Sequence, residues 1–327
     1  MEKGIDVLNK NNKKKYKPSD LVFIVPTKDR PGKITRLLGS FTRQSVMCGR
    51  IIIIDGGESI EGIVKNFKNA LPVEYYRCVP PGQIRQRNMG ISLLDDKTKL
   101  VGSLDDDIVL EPNAVAEMIN CWNFKVRETA GIAFNIINIE KVDKGFFRRL
   151  FLYSSLKPGQ VLISGATTQI CPTDHDIKSQ WLCGGATVWR LEILNKFQHR
   201  EIKSRWAITE DLIFSYPIGK EFPLYVCANA HVKHEHVHDF TKNRLHQFVG
   251  KSTSLWRFYF VMSNSGVYLY AYLWMSVGII SFKLIQGMFC KKIDSLKFAI
   301  GYMDGLWLGI KSIIGKKSII DLLEKET

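Results

Sequence analysis

The chain reads as an α/β protein, a Rossmann-like doubly wound mixed sheet followed by a C-terminal helical, membrane-associated segment, and three observations predict this. Apolar, β-branched-rich runs alternate with helical periods through the N-terminal half. Each of three such runs ends in a polar cluster, where an open α/β sheet carries its ligands. Near the C-terminus, Phe258 to Phe282 contains no charged residue.

Leu21 to Val25 and Ile51 to Ile54 are continuous apolar runs, as parallel strands covered on both faces require. Val73 to Cys78 is a weaker third strand and Leu100 to Leu104 a fourth. Between them, Ile34, Leu37, Leu38 and Phe41 recur at i, i+3, i+4, i+7, as do Ile60, Ile63, Val64 and Phe67, so both stretches are expected to be helices. A third helix is expected around Gln83 to Leu94. The polar punctuation is Pro26-Thr27-Lys28-Asp29-Arg30, then Asp55-Gly56-Gly57, then Asp105-Asp106-Asp107.

The acidic triplet places three carboxylates where a buried strand reaches the surface, and crowding like charge there is costly without a cation. In an extended segment Asp105 and Asp107 share one face and Asp106 takes the other, so the outer pair could hold a hard divalent ion with open positions for diphosphate oxygens. The alternative is a solvated acidic turn.

These residues resemble the inverting nucleotide-sugar glycosyltransferases of family two, with the GT-A fold. The resemblance runs from about Leu21 to about Phe260, with its motifs in the family's order. Val25 to Arg30 is similar to the opening strand and its polar turn, and Ile53 to Gly57 to the second strand. Arg87-Asn88-Met89-Gly90 resembles the Arg-Asn-x-Gly helix, and Leu104 to Ile108 the metal motif. Leu182 to Ala186 resembles the acceptor-side glycine segment, and Thr209-Glu210-Asp211 the segment carrying the catalytic base.

The resemblance implies a role for each position. Asp211 is expected to be the base, with Glu210 as runner-up. Asp105 and Asp107 would hold Mn²⁺ or Mg²⁺, with His234 as a further ligand or diphosphate contact. His234, His236 and His238 alternate, and a separate small metal site or a solvated loop explains them as well. Pro26, Thr27, Asp29, Arg30, Asp55, Arg87 and Asp106 are the expected donor-nucleotide residues, a UDP-sugar being the expected donor. Asp29 and Asp55 have a plain alternative as Asx turns or helix caps, and Arg87, like Arg85, as a surface helix arginine. Trp181 would be a sugar platform or a core residue, with Gly184 and Gly185 admitting close backbone approach to ligand. Arg257, beside Trp256, could face phosphate or membrane.

Composition adds a location. Seven scattered cysteines without a CxxC pair suit a reducing compartment, and the polar, Lys-rich N-terminus carries no secretory signal. Residues 1–18 are expected to form a disordered basic arm, 19–260 the catalytic domain and 261–327 the membrane-associated region. A net charge of +14 calls for an anionic partner. Nucleic acid ranks low because the basic residues are not interleaved with aromatics in a reader module. Val267 to Ile280 is strongly apolar but shorter than the ~20 residues that span a bilayer, which leaves spanning and interfacial helices both open. Ile293, Leu296, Ile300, Met303, Trp307 and Ile310 then form one stripe, surrounded by Lys291, Lys292, Lys297, Lys311, Lys316 and Lys317, as in an amphipathic helix on anionic lipid. The alternative is a helix packed on the catalytic domain with a solvated basic edge.

The expected activity is therefore sugar transfer from a nucleotide sugar to a saccharide or lipid-linked acceptor at the cytoplasmic face of the membrane, in bacterial surface polysaccharide or glycolipid assembly. Two other classes compete. A sugar nucleotidyltransferase needs a glycine-rich, lysine-containing phosphate loop, a shape that Pro26 to Gly32 lacks. A non-catalytic basic protein binding membrane or nucleic acid would show no donor turnover.

Overall fold

Runs of isoleucine and valine without polar interruption can be buried only between two layers, and the computed structural model places them there. It describes residues 16–204, 208–235, 245–315 and 317–326. Strand β1 (Leu21–Thr27) leads into α1 (Pro31–Phe41), β2 (Arg50–Asp55) into α2 (Glu61–Lys65), and β3 (Val73–Arg77) into α3 (Gln83–Ser92), which returns to β4 (Leu100–Leu104). These four strands are parallel, in the order β3-β2-β1-β4. Ile51 to Ile54 are fully buried, and each such side chain contributes ~1.5–3 kcal/mol relative to exposure.

The second half completes a mixed sheet. β5 (Ile108–Leu110), α4 (Ala114–Phe124), β6 (Gly131–Ile136) and α5 (Phe146–Leu150) precede the short β7 (Ile177–Ser179), β8 (Ala186–Arg190) and α6 (Leu191–Lys196). Helix α7 (Glu210–Glu221) then leads to β9 (Leu224–His234). β8 runs antiparallel between β4 and β6, and the far edge is β9 with β5 antiparallel to it. The β5–β9 register sets His234 opposite Ile108, next to the acidic triplet.

Four helices end the chain: α8 (Leu245–Ser263), α9 (Leu269–Phe289), α10 (Ile293–Ile314) and α11 (Ile319–Glu326). Residue 260, the expected edge of the catalytic region, lies inside α8. Phe258 and Phe260 of α8, with Tyr272 and Met275 of α9, share a core with Leu212 and Tyr216 of α7. The helix that opens with Glu210 and Asp211 is thus seated on the C-terminal helices.

Helix α10 meets α8 through small residues. Ala299, Gly301, Gly305 and Gly309 are buried, and a Cβ at Gly301 would collide with the Gln247 carbonyl. The apolar stripe behaves differently. Ile293, Ile300, Met303 and Trp307 are exposed, while Ile310 packs inward.

Replacing Gly301 with Val should therefore wedge α10 from α8. Overpacking of this kind costs ~1–3 kcal/mol or more, to be read as a lower urea midpoint than wild type. An unchanged midpoint would show that the helix pair tolerates separation.

Candidate active site

Parallel neighbours bring the ends of β1, β2 and β4 together, and polar side chains stitch them. The Gln86 side chain donates to the carbonyls of Thr27 (2.8 Å) and Ile54 (2.7 Å). Asp55, fully buried, accepts from Tyr75 Oη (2.7 Å), Arg77 (2.7 Å) and the Gly57 amide (2.8 Å), the last an Asx turn. Asp29, at φ +55°, accepts from the Glu58 amide at 2.8 Å. An open cleft lies beside them, lined by Asp29, Pro31, Glu58, Ile60 and Ile63. Pro26 lies within β1 opposite Ile54, and Thr27 opposite Asp55.

The triplet is a turn, not an extended tip. β4 ends at Leu104, and the Ile108 amide bonds back to the Asp105 carbonyl at 3.2 Å. The alternation that would set Asp105 and Asp107 on one face is lost, and each carboxylate goes its own way. Asp105 accepts from Arg87 (2.8 Å) and Gln83 (3.2 Å). Asp106, buried, accepts from Thr27 Oγ1 (2.8 Å) and Arg30 (2.9 Å), so it ties β4 to β1. Asp107 lies 2.9 Å from His234 Nε2 and 3.5 Å from Arg30. Burial acts to raise the Asp107 pKa, but the His234 hydrogen bond and the charges of His234, Arg30 and Lys33 outweigh it and leave the carboxyl below its ordinary value. His236 and His238 lie outside the described residues, so the alternating histidine set is not placed.

Arg87 is the buried centre of the cluster. One guanidinium nitrogen holds Asp105, and the other holds Glu210 Oε2 at 2.8 Å. Arg85 instead reaches Glu201 at the surface. Burial opposes the Arg87 charge, and the two carboxylates overcome it, raising its pKa. Glu210 Oε1 also lies 2.9 Å from His199 Nδ1, within reach of its charge but outside hydrogen-bond angles. Against the cost of burial, Arg87 and His199 hold Glu210 down to about 2.

Asp211 is next in sequence and opposite in environment. It follows Thr209, which sits in the left-handed region at φ +75° with an unpartnered Oγ1 and so does not cap α7 through its side chain. A β-branched residue in that conformation is strained. Asp211 accepts from the Leu212 amide at 2.8 Å and from the backbone of Gly184. Burial first, then the charge of Glu210, push it up to about 6, against smaller opposing effects that include Arg257. Trp206 and Ala207, just upstream, lie outside the described residues.

The glycine pair makes room for protein carboxylates. A Cβ on Gly185 would strike the Asp105 carboxylate, and one on Gly184 would come within 3.1 Å of Asp211 Cβ. Trp181 is half-buried between two cores, with its indole N–H on the Thr168 carbonyl at 3.2 Å. Arg257 points inward to the Gly165 carbonyl at 2.5 Å. Sequence reading missed Gln86 as the stitch between strand ends and His199, which stacks on Phe214 at 3.6 Å. His199 follows α6 without periodicity or a motif, so no local signal marks it.

A mixed sheet whose parallel strands open onto such a carboxylate cluster is the GT-A fold of nucleotide-sugar transferases. Residues 22–170 match the family described as glycosyl transferase family 2. Among solved structures, the mannosyltransferase PcManGT from Pyrobaculum calidifontis, in complex with GDP-Man and Mn²⁺, is 10% identical with a TM-score of 0.55. That match covers 91% of this chain and 88% of that one. S. aureus TarS 1–349 is 14% identical over 90% of this chain and 91% of that one, with a TM-score of 0.48. Its complex with UDP-GlcNAc is 13% identical, over 91% and 92%, also at 0.48. These likenesses are of fold. No curated protein sequence matches the chain.

The split carboxylates make stability depend on pH in opposite directions. Glu210, lowered from 4.5 to about 2, contributes stability that is present above 4.5 and lost as pH falls through 2. Asp211, raised from 3.8 to about 6, contributes stability that is present below 3.8 and lost as pH rises through 6. Asp211→Asn removes the second dependence. Its melting temperature should gain on wild type as pH rises through 6, and a constant difference across that window would overturn the raised value.

Proposed function

We propose that the chain is a metal-dependent, inverting glycosyltransferase that moves a sugar from a nucleoside-diphosphate sugar, read as a UDP-sugar, to a hydroxyl of a saccharide or lipid-linked acceptor. The observation that carries this is the unequal treatment of adjacent carboxylates. Glu210 is locked ionised on Arg87, while Asp211 is left raised to about 6 with no cationic side chain bonded to it among the described residues. Two carboxylates pushed apart in this way are suited to different tasks. Asp211 takes the proton of the acceptor hydroxyl as its oxygen attacks the anomeric carbon. The bond from that carbon to the diphosphate breaks in the same displacement, so configuration inverts without a covalent intermediate. Glu210 and Arg87 position Asp211 and keep its neighbourhood charged.

Asp107 and His234 offer a carboxylate and an imidazole side by side, a donor set suited to Mn²⁺ or Mg²⁺. A bound ion would supply charge stabilisation for the leaving diphosphate. Asp105 is engaged by Arg87 and stands apart from that pair. Asp29 lines the cleft that suits the nucleoside, and Asp55, Thr27, Pro26 and Arg30 are read with it as the donor side, with Asp106 holding Thr27 and Arg30 in place. Trp181, Gly184 and Gly185 are read as the acceptor side.

The reading extends to place. Residues 19–260 carry the transfer chemistry, and the C-terminal helices bind an anionic membrane surface at the cytoplasmic face, in bacterial surface polysaccharide or glycolipid assembly. One helix, Leu269–Phe289, has the length and mean hydropathy (1.3) of a membrane segment, with 22% of its most apolar window buried. The outward stripe on α10 supports the same placement.

Two measurements test the chemistry. Asp107→Ala should abolish Mn²⁺-supported donor binding in calorimetry while leaving the fold intact, and unchanged binding would remove Asp107 from the site. Asp211→Asn should keep donor affinity while transfer falls by ~10²–10⁴-fold or more. The wild-type rate should rise through about pH 6 as Asp211 ionises. Near-normal transfer by this variant, or retained anomeric configuration by NMR, would sink the mechanism.

A further inference from the structure

Resting on the membrane reading above, we infer that α9 lies along an anionic bilayer surface rather than crossing it, and that α5 of the catalytic half is inserted beside it. Nothing in the sequence pattern had marked the segment Gly145-Phe146-Phe147-Arg148-Arg149-Leu150. Phe146 and Phe147 are 65% and 74% exposed. A single exposed apolar side chain needs no explanation, but this pair continues into a larger apolar face.

The continuity is direct. Phe151 stacks on Trp274 of α9 with ring centroids 4.9 Å apart, and the Trp274 indole donates to the Leu150 carbonyl at 2.9 Å. Gly278 has no room for a Cβ because Phe151 packs against it. From there the face runs outward along α9 through Phe282 and Phe289, both exposed.

The same contacts decide orientation. Trp274 sits a quarter of the way along Leu269–Phe289 and Gly278 near its middle, within the part of a spanning helix that would lie in hydrocarbon. Spanning would carry the irregular chain after Leu150, its backbone polar groups and Arg148 and Arg149 into hydrocarbon. Lipid-exposed irregular backbone is not tolerated there, and intramembrane arginines are expensive. An in-plane helix avoids both, keeping the chain at headgroup depth and its apolar side chains just below.

Charge fits an anionic surface. Between residues 141 and 157, Lys141, Lys144, Arg148, Arg149 and Lys157 stand against one acid, Asp143. Lys283, in the otherwise uncharged α9, feels burial first and then the like charges of Arg148 and Lys292, and its pKa is lowered. Those three cations come from α5, α9 and the start of α10, so the basic cluster crosses the same seam as the apolar face. Tyr270 and Trp274 are exposed on that face, where aromatic rings favour the headgroup boundary.

The test uses the full chain with vesicles of phosphatidylcholine, with and without phosphatidylglycerol. Wild type should float with the anionic vesicles and be released by alkaline carbonate. Phe146→Ser/Phe147→Ser should weaken vesicle binding by about tenfold or more. Independently, Arg148→Glu/Arg149→Glu should remove the preference for phosphatidylglycerol. The phenylalanine variant changes exposed side chains and should unfold at the wild-type temperature; Arg148 is half-buried over the Tyr153 ring, so the charge variant is assayed below its own melting temperature. Resistance to carbonate would establish a spanning helix and overturn the in-plane orientation. Wild-type flotation by both variants would leave the tail acting alone and overturn the role of α5. Absence of flotation by wild type would instead overturn the membrane reading itself.

Discussion

The guanidinium of Arg87, buried between Asp105 and Glu210, is the interaction on which the site depends. It joins three elements that are distant in sequence: α3, the turn after β4 and the first residue of α7. A buried arginine with one carboxylate would be a modest stabiliser at best, since desolvation opposes the attraction. Bonded to two, it becomes a bracket, and removing it would strand two carboxylates. Because Glu210 is bonded by Arg87 and held down to about 2, its charge persists near neutral pH and acts on Asp211 as a fixed field. Arg87 and His199 thus lower Glu210 against the cost of burial, and the Glu210 charge adds to burial in raising Asp211.

Around this bracket, the other strand-end carboxylates are mostly committed to protein. Asp106 holds Thr27 and Arg30, and Asp55 holds Tyr75, Arg77 and the turn at Gly57. These bonds close the ends of β1, β2 and β4 against one another, where the strands would otherwise splay once their backbone ladder stops. Asp107 differs, since its nearest polar neighbour is an imidazole brought by the far edge of the sheet. The β5–β9 pairing therefore matters to the site, although neither strand belongs to the parallel half that made the fold legible.

That parallel half could be read because burial on both faces writes a continuous apolar run. β1, β2 and β4 came within one or two residues of their observed bounds, and α1 followed its 3.6-residue period. The antiparallel half was harder, with strands such as Ile177–Ser179 too short to show a period. The acidic triplet was found, but its geometry depended on where the strand stopped, which local composition does not encode. His199, Gln86 and Tyr75 acquired their importance only from neighbours supplied by the fold. The stripe on α10 was read as facing lipid, with packing on the catalytic domain as the alternative, and most of it does face outward. Gly301, Gly305 and Gly309 allow a closer approach to α8 than the large apolar side chains would, so the small face turned inward.

That inversion bears on how the site is supported. A helix that buries glycine and exposes tryptophan gains little from water exclusion within the protein, so its apolar side chains must find another phase or remain in water. Leu212 and Tyr216 share a core with Phe258, Phe260 and Tyr272, which places α8 and α9 directly behind the catalytic helix α7. Arg257 of α8 reaches the same region, bonded to Gly165 and felt electrostatically at Asp211. Any restraint applied to α9 by a membrane is therefore one packed layer from the raised carboxylate. The C-terminal helices form the rear wall of the carboxylate cluster and carry the face proposed to meet the membrane, and since α8 runs through residue 260 that position does not separate the two.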